Sequence, residues 1–234
     1  MSSIEERLDK VRELIQNDDF LCGRGLSNEV NIRIFCYEPE DEMAVRHFVE
    51  QVKTDQNLRC HLVERNLFQV FLDACDDLGI TDSIPEMEEE DGSAYLLEQL
   101  HAAIGEDDFI RHMDYAPHCP GDVLLLTGVG EVFPFMRIHV LLEALQPHFP
   151  DMPILVMYPG AFDGRTVRLF NRLRPNDYYI VPDEMRKFIN YTTIQTGVNL
   201  AVTGVMWVGI GLMVISGAAG LIRKRRSSRN TRNN

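Results

Sequence analysis

Cysteine is sparse in this sequence, and none of it occurs in pairs. Five cysteines are spread over 234 residues, never as a C-x-x-C motif, at Cys22, Cys36, Cys60, Cys75 and Cys119. Disulfide frameworks and zinc sites need closely spaced cysteines, so neither is indicated. Reduced and mostly buried thiols are therefore expected.

The N-terminus lacks the apolar core of a secretory signal. It reads Met1-Ser2-Ser3-Ile4-Glu5-Glu6, which is acidic instead of positively charged and apolar. Together with the unpaired cysteines, this predicts that the main domain is cytoplasmic.

Positive charge is scarce over most of the chain. The chain has 23 basic and 36 acidic residues, and its last twelve residues hold six of the cations and no acid. Residues 1–222 therefore carry 17 basic against 36 acidic side chains, a net charge of −19. Because Lys and Arg must neutralise phosphates in a nucleic-acid complex, direct nucleic-acid binding is not expected.

Motifs of catalysis are missing as well. There is no G-x-x-x-x-G-K-[S/T] loop and no G-x-S-x-G elbow, and a G-x-G-x-x-G fingerprint would need glycine where Phe133 stands. The residues His112, His118, Cys119 and His139 have no spacing typical of metal ligands. No catalytic residue, metal or cofactor is predicted.

A βαβ unit is the clearest feature that is present. The apolar run Asp122–Gly130 is typical of a buried parallel strand, and a helix is predicted to follow with Pro134 in its first turn. A second apolar strand, Ile154–Tyr158, is predicted to be broken by Pro159-Gly160. A right-handed crossover would place the ends of both strands on one edge of the sheet, where α/β proteins bind ligands.

The remaining periodicities predict helices alternating with strands. Helices are expected at residues 3–17, from 38 through 52, 67–78, 93–112 with an interruption near Gly105, and 166–173. Strands are expected at 31–37, 58–63 and 178–181, and a solvated acidic loop at 85–92. This order predicts a three-layer Rossmann-like or P-loop-like α/β domain with a mainly parallel sheet of four to five strands.

The C-terminal part has a different character. The segment Leu200–Ile222 contains only Thr203 and Ser216 as polar residues. It is long enough for a single-pass membrane helix, although a buried soluble helix is an alternative. Gly204, Gly211 and Ala218 recur every seven residues and would let another helix approach closely. We expect an α/β domain at 1–185, a connector at 186–199, the membrane helix at 200–222 and a basic tail at 223–234. The tail itself favours the opposite membrane orientation, with the acidic domain outside.

Two glycine-rich turns are the candidate site. The turn at Gly128 and Gly130 has the position of a phosphate-binding turn, but a ligand-free strand-to-helix turn is the alternative, and Glu131 places a negative charge there. Arg137, Arg165, Arg168 and Arg172 are candidates for an anion-binding patch. Alternatively, these arginines pair with the many nearby acids.

The same region carries a family resemblance. The strand exit G-x-G-x-x-x-P-x-x-R-x-H at 128–139, followed by Y-P-G-x-x-D-G at 158–164 and the N-D-Y-Y at 176–179, resembles the BrxB family. The resemblance covers about residues 4–182. It implies a role in BREX antiviral defence, beside a methyltransferase, a large ATPase and a PglZ-type protein, as a non-enzymatic partner with no established catalytic residues. The membrane-length segment is a departure from the family pattern.

The first hypothesis is therefore an interaction module that docks a defence-system partner through the loops at 128–137 and 158–168. The candidate binding residues are Gly128, Gly130, Pro134, Arg137, His139, Tyr158, Pro159, Gly160, Asp163, Gly164, Arg165 and Arg168. The second hypothesis is a nucleotide- or phosphate-binding enzyme that uses the same sheet edge.

Overall fold

The computed structural model describes residues 3–22, 31–164 and 166–171. Its first half contains, in chain order, α1 (Ile4–Leu14), α2 (Asp18–Leu21), β1 (Ile32–Tyr37), α3 (Glu42–Thr54), β2 (His61–Asn66), α4 (Leu67–Asp77), α5 (Ile84–Asp91) and α6 (Ser93–Ala103). The second half contains α7 (Glu106–Met113), β3 (Asp122–Thr127), α8 (Val129–Val132), α9 (Ile138–Leu145), β4 (Ile154–Phe162) and β5 (Val167–Leu169).

The sheet is mainly parallel, as predicted. Its order is β1-β4-β3-β2, with all three of these pairings parallel, and β5 is added antiparallel to β4. Strands β3 and β4 are neighbours, so the βαβ unit and its shared edge are confirmed.

The two faces of the sheet bury separate cores, which confirms the three-layer architecture. Alternate strand residues such as Phe35 and Leu125 pack with α1 and α3, while Ile34 and Leu124 pack with the helices from α4 to α9. Side chains alternate between the two faces of a strand, and both faces are covered here. The two central strands, β3 and β4, are therefore nearly continuous apolar runs.

Helices α1 and α4 and the break between α6 and α7 confirm their predictions. The hydroxyl of Ser3 accepts from the N–H of Glu6 and caps α1, and α4 begins directly after Asn66. Strand β2 begins three residues later than predicted. Its pairing with β3 starts at His61, whose N–H donates to the carbonyl of Gly121, the residue just before β3.

The prediction that Pro134 opens a helix is wrong. The chain forms the short α8 and leaves it at Phe133, whose extended backbone is the conformation that proline imposes on the residue before it. Arg137 is also extended, so α9 begins only at Ile138.

Strand β4 does not end at Pro159-Gly160, which corrects the second boundary. It continues to Phe162 because it keeps partners beyond the end of its pairing with β3: β1 stays paired as far as Pro159, and β5 lies opposite Gly160 to Phe162. For the same reason the predicted helix at 166–173 is wrong, since Val167–Leu169 completes a hairpin with β4.

The predicted acidic loop at 85–92 is also wrong, because Ile84–Asp91 forms α5. Its helical period is weak in sequence since only Ile84 and Met87 reach the core. Pro85 suits the first turn, and Gly92, with a φ of 85°, ends the helix.

The predicted strand at 178–181 and all features from the connector onward lie outside the described residues. They include the boundary at 185, the segment 200–222, the stripe of Gly204, Gly211 and Ala218, and the basic tail. Within residues 3–22, 31–164 and 166–171, no helix has both the length and the apolar character needed to cross a bilayer.

Candidate functional site: the strand-end surface

The two candidate loops meet at the carboxyl end of the sheet. A methyl group placed on Gly130 would lie 2.8 Å from the ring of Phe170 and 3.0 Å from Cγ of Pro159. The loop after β3 and the extension of β4 are therefore in direct contact. We call residues 128–137 and 158–168 the strand-end surface.

Close packing within the fold accounts for Gly128, Gly130 and Gly160, whereas Gly164 has open space around it and a φ of 93°. Gly128 has a φ of 71°, and a methyl group there would lie 2.6 Å from Oδ1 of Asn66. That oxygen already accepts the N–H groups of Phe68 and Gln69, at 3.0 and 3.1 Å, and caps α4. A methyl group on Gly160 would lie 2.1 Å from the carbonyl oxygen of Arg168. The space that side chains at Gly128, Gly130 and Gly160 would need is therefore occupied by other atoms of the protein.

The loop before α9 has both an internal and an exposed part. The carbonyl of Pro134 lies 2.9 Å from Nε2 of His101, which is the donor since a carbonyl can only accept. Arg137 is exposed, and His139 is half-buried. The pKa of His139 is lowered, mainly by burial and to a smaller extent by the charge of Arg137.

The β4–β5 hairpin ties up its own polar groups. The carboxylate of Asp163 accepts the N–H and the hydroxyl of Thr166 at 2.8 and 2.9 Å, which closes the turn at Gly164. Nη2 of Arg168 lies 3.3 Å from the same carboxylate. Arg168 thus fits the alternative in which the arginines pair with nearby acids.

Of the three remaining candidate residues, the structure describes only Tyr158. Tyr158 is buried in the core, and burial raises the pKa of its hydroxyl. The side chains of Arg165 and Arg172 lie outside the described residues.

Sequence reasoning missed an acidic cleft beside this surface. It has a volume of about 240 Å³ and lies between α3 and the ends of the strands. It is lined by Tyr37, Glu42, Val45, Arg46, Val49, Glu50, Glu64, Asn66, Thr127, Gly128, Glu131 and Met157. Its residues come from four strands, from α3, and from the turn and short helix α8 that follow β3, and no local pattern links them.

The carboxylates of the cleft already have partners. Arg46 bridges Glu42 at 2.8 Å and Glu131 at 2.5 Å, and the bonds to Glu131 and Glu42 raise the pKa of its guanidinium. Lys53 lies 2.5 Å from Glu64 and 3.0 Å from Glu50. Four carboxylates thus face two cations, so the cleft would repel a phosphate group.

Aromatic rings make up the apolar part of the strand-end surface and its rim. Four phenylalanines pack against the core while remaining partly exposed: Phe133, Phe135, Phe162 and Phe170. Phe135 is held by stacking on Phe71 at a centroid distance of 4.3 Å. Among the described residues, no three His, Cys, Asp or Glu side chains converge as metal ligands would.

Known proteins are similar to this chain over a stretch that includes both loops of the strand-end surface. The sequence model of the family described as BREX protein BrxB matches residues 63–181. A BREX protein BrxB from Bacillus cereus (strain H3081.97) is 32% identical over 186 residues, which are 76% of this chain and 96% of that protein. The chain belongs to the BrxB family. It is also 29% identical over 192 residues to a BREX protein BrxB from Escherichia coli O9:H4 (strain HS), covering 77% of this chain and 92% of that protein.

The BrxB match spans both loops of the strand-end surface, since 128–137 and 158–168 lie inside residues 63–181. It also spans Glu64 and Glu131 of the cleft, while Glu42 and Arg46 precede it. No solved structure matches the chain significantly.

Proposed function

We propose that this BrxB-family chain is a non-enzymatic component of a BREX antiviral defence system that docks a partner protein through the strand-end surface. One observation carries the proposal. The two loops that bear the family motif are in contact, and Gly128, Gly130 and Gly160 serve internal packing, while partly exposed phenylalanines and exposed arginines lie at the outside. A motif built in this way specifies the shape of a surface.

The composition of the surface supports a protein partner. Aromatic residues and arginine are enriched at the cores of protein interfaces, where they supply most of the binding energy. The strand-end surface combines partly exposed Phe162 with the exposed Arg137 and Arg168. The proposed partner is the PglZ-like protein of the same system, and the acidity of the chain argues against nucleic acid.

The polar groups at the sheet edge support a role without catalysis. Glu42, Glu131 and Glu64 are engaged by Arg46 and Lys53, and Asp163 is engaged by Thr166 and Arg168. The excess of carboxylates gives the phosphate-binding alternative no support at this edge.

Reversing the two exposed arginines tests the docking role. The Arg137→Glu, Arg168→Glu double variant of the full chain is expected to bind the PglZ-like protein at least about tenfold more weakly, because interface arginines often contribute more than ~1 kcal/mol each. Affinity is measured by calorimetry, and circular dichroism verifies that the variant is folded.

The matched control is the Arg59→Glu, Arg111→Glu double variant, which makes the same charge change. Both residues are exposed and paired with single acids, Asp18 and Asp108, away from the strand-end surface. It is expected to bind as the unmodified chain does. Equal weakening in both double variants would show that bulk charge, not this surface, governs binding.

We further propose that residues 200–222 anchor the chain as a single-pass membrane helix with the main domain in the cytoplasm. The apolar length of this segment supports the proposal. After carbonate washing, the full chain is expected in the membrane pellet, and a chain that ends at Lys187 in the supernatant. Recovery of the full chain in the carbonate supernatant would rule out an integral anchor.

A further inference from the structure

The two outer strands of the sheet, β1 and β2, each have one side that pairs with no strand in the described part of the chain. In β1, the carbonyl of Asn31 accepts from Ile154 of β4. Because backbone groups alternate in direction along a strand, the N–H and C=O groups of Ile32, Ile34 and Cys36 point away from the sheet. In β2, His61 bonds to Gly121 beside β3. By the same alternation, Leu62, Glu64 and Asn66 point outward.

Arginine side chains occupy three of these six outward carbonyls. Nη1 of Arg33 donates to the carbonyl of Ile32 at 3.1 Å, and Nη1 of Arg65 donates to the carbonyl of Glu64 at 3.1 Å. Each is the carbonyl of the preceding residue, so the same local arrangement occurs on both edges. Nη2 of Arg7 donates to the carbonyl of Cys36.

Further contacts hold two of these guanidinium groups in place. Arg65 also donates from Nε to the carbonyl of Met113 at 3.0 Å and lies over the ring of Tyr115, with its Cζ 5.6 Å from the ring centroid. Arg7 lies over the ring of Phe35 at 4.9 Å. Both arginines are therefore held at the edge by more than a single flexible hydrogen bond.

We propose that Arg7, Arg33 and Arg65 guard the edges of the sheet and prevent it from extending onto a strand of a second copy of this chain. A strand that added to either edge would need the carbonyls that the guanidinium groups already occupy. It would also have to bury a charged side chain at the new junction, which is unfavourable. Parallel strands as apolar as β1 are otherwise well suited to pair edge to edge.

The guard has a consequence for partner binding. With both edges protected, recognition by strand addition is disfavoured, and partners are left with side-chain contacts at the strand ends. This consequence is separate from the docking role proposed above. The edge guard could hold even if the strand-end surface binds nothing.

The test uses the full chain with Arg65→Val and, separately, with Arg7→Val and Arg33→Val combined. The β1 edge needs both changes because Arg7 would still occupy the carbonyl of Cys36 if only Arg33 were replaced. Each variant is expected to self-associate in sedimentation velocity at concentrations where the unmodified chain does not. As concentration rises, hydrogen exchange of an outward amide on the mutated edge, Ile34 or Leu62, is expected to slow by roughly tenfold or more, because the amide gains a partner strand.

Two controls separate the guard from charge and stability. Arg111→Val removes the same charge from α7, where Arg111 pairs only with Asp108 three residues earlier in its own helix among the contacts described, and should behave as the unmodified chain does. Arg65→Lys keeps a cation at the β2 edge and should behave as the unmodified chain does. If Arg65→Val and the Arg7→Val, Arg33→Val double variant remain no more associated than Arg111→Val, or associate with no slowing at Leu62 or Ile34, the edge guard is overturned. The two edges are independent, so a folding failure in one variant leaves the other as the test.

Discussion

Replacing Gly160 by alanine is expected to lower the free energy of unfolding by about 3 kcal/mol, the upper part of the range for forcing extra volume into a packed site. The new methyl group would lie 2.1 Å from the carbonyl oxygen of Arg168 and 2.9 Å from the ring of Tyr158. That carbonyl belongs to backbone and cannot rotate away as a side chain would. The pairing of Gly160 with Leu169 holds it there.

The loss is measured by urea denaturation, with Gly105→Ala as the control. Nothing lies within 4 Å of a methyl group on Gly105, and its φ of −109° is open to any residue. Gly105 is the residue before α7, so its replacement by alanine should lower the free energy of unfolding by at most about 1 kcal/mol. A Gly160 variant no less stable than the Gly105 variant would mean that the hairpin shifts to admit a side chain. The close approach of β5 to β4 would then not be a requirement of the fold.

Asp122→Ala is also expected to lower the free energy of unfolding by about 3 kcal/mol. Three hydrogen-bond donors share the carboxylate as their acceptor, and each of these bonds contributes about 1 kcal/mol. The carboxylate is 5% exposed and accepts the N–H of Cys119 at 2.8 Å, the hydroxyl of Tyr115 at 2.7 Å and Nδ1 of His61 at 3.1 Å. It therefore ties the loop before β3 to the sheet.

The contribution of Asp122 should also depend on pH in a defined direction. Burial alone would raise its pKa, but the bonds from Cys119, Tyr115 and His61 outweigh burial, and the pKa is lowered. A carboxyl that is more acidic when folded stabilises the protein fully above its unfolded pKa of about 3.9 and loses that contribution as the pH falls through the folded value. The stability difference between the unmodified chain and Asp122→Ala is expected to be constant from pH 5 to 7 and to shrink below about pH 4.

Denaturation curves at each pH provide the measurement, and Asp151→Ala, in an exposed turn, serves as the control. A difference that stays constant into strong acid would show that packing, not the charge of Asp122, accounts for the effect.

Local patterns in the sequence were sufficient for the parts of the fold that depend on near neighbours. The run at Asp122–Thr127 is apolar because both faces of β3 are covered, and that property is visible in one strand alone. The capped α1, the βαβ unit and the family motif are of the same kind.

Predictions failed where pairing with another strand changed the local preference. Pro159-Gly160 is a strand breaker by composition, but β1 and β5 supply partners on either side and β4 continues. The segment after Gly164 has helical spacing, yet it meets an unpaired stretch of β4 and becomes β5. In both cases pairing with another strand outweighed local propensity, which amounts to only about 1 kcal/mol per residue.

By itself, the sequence determined the layered α/β class, the parallel βαβ unit and the membership of the BrxB family, because each rests on periodicity or on a continuous motif. Only the tertiary structure decided that Gly130 packs against Phe170, that Arg46 joins Glu42 to Glu131 across a cleft, and that arginines cover both sheet edges. Gly130 and Phe170, and Arg46 and Glu131, are far apart in sequence and meet only in the folded chain. Arg33 and Arg65 contact neighbouring residues, but they lie at an edge only because strand order places β1 and β2 outermost. Strand order is a property of the assembled sheet.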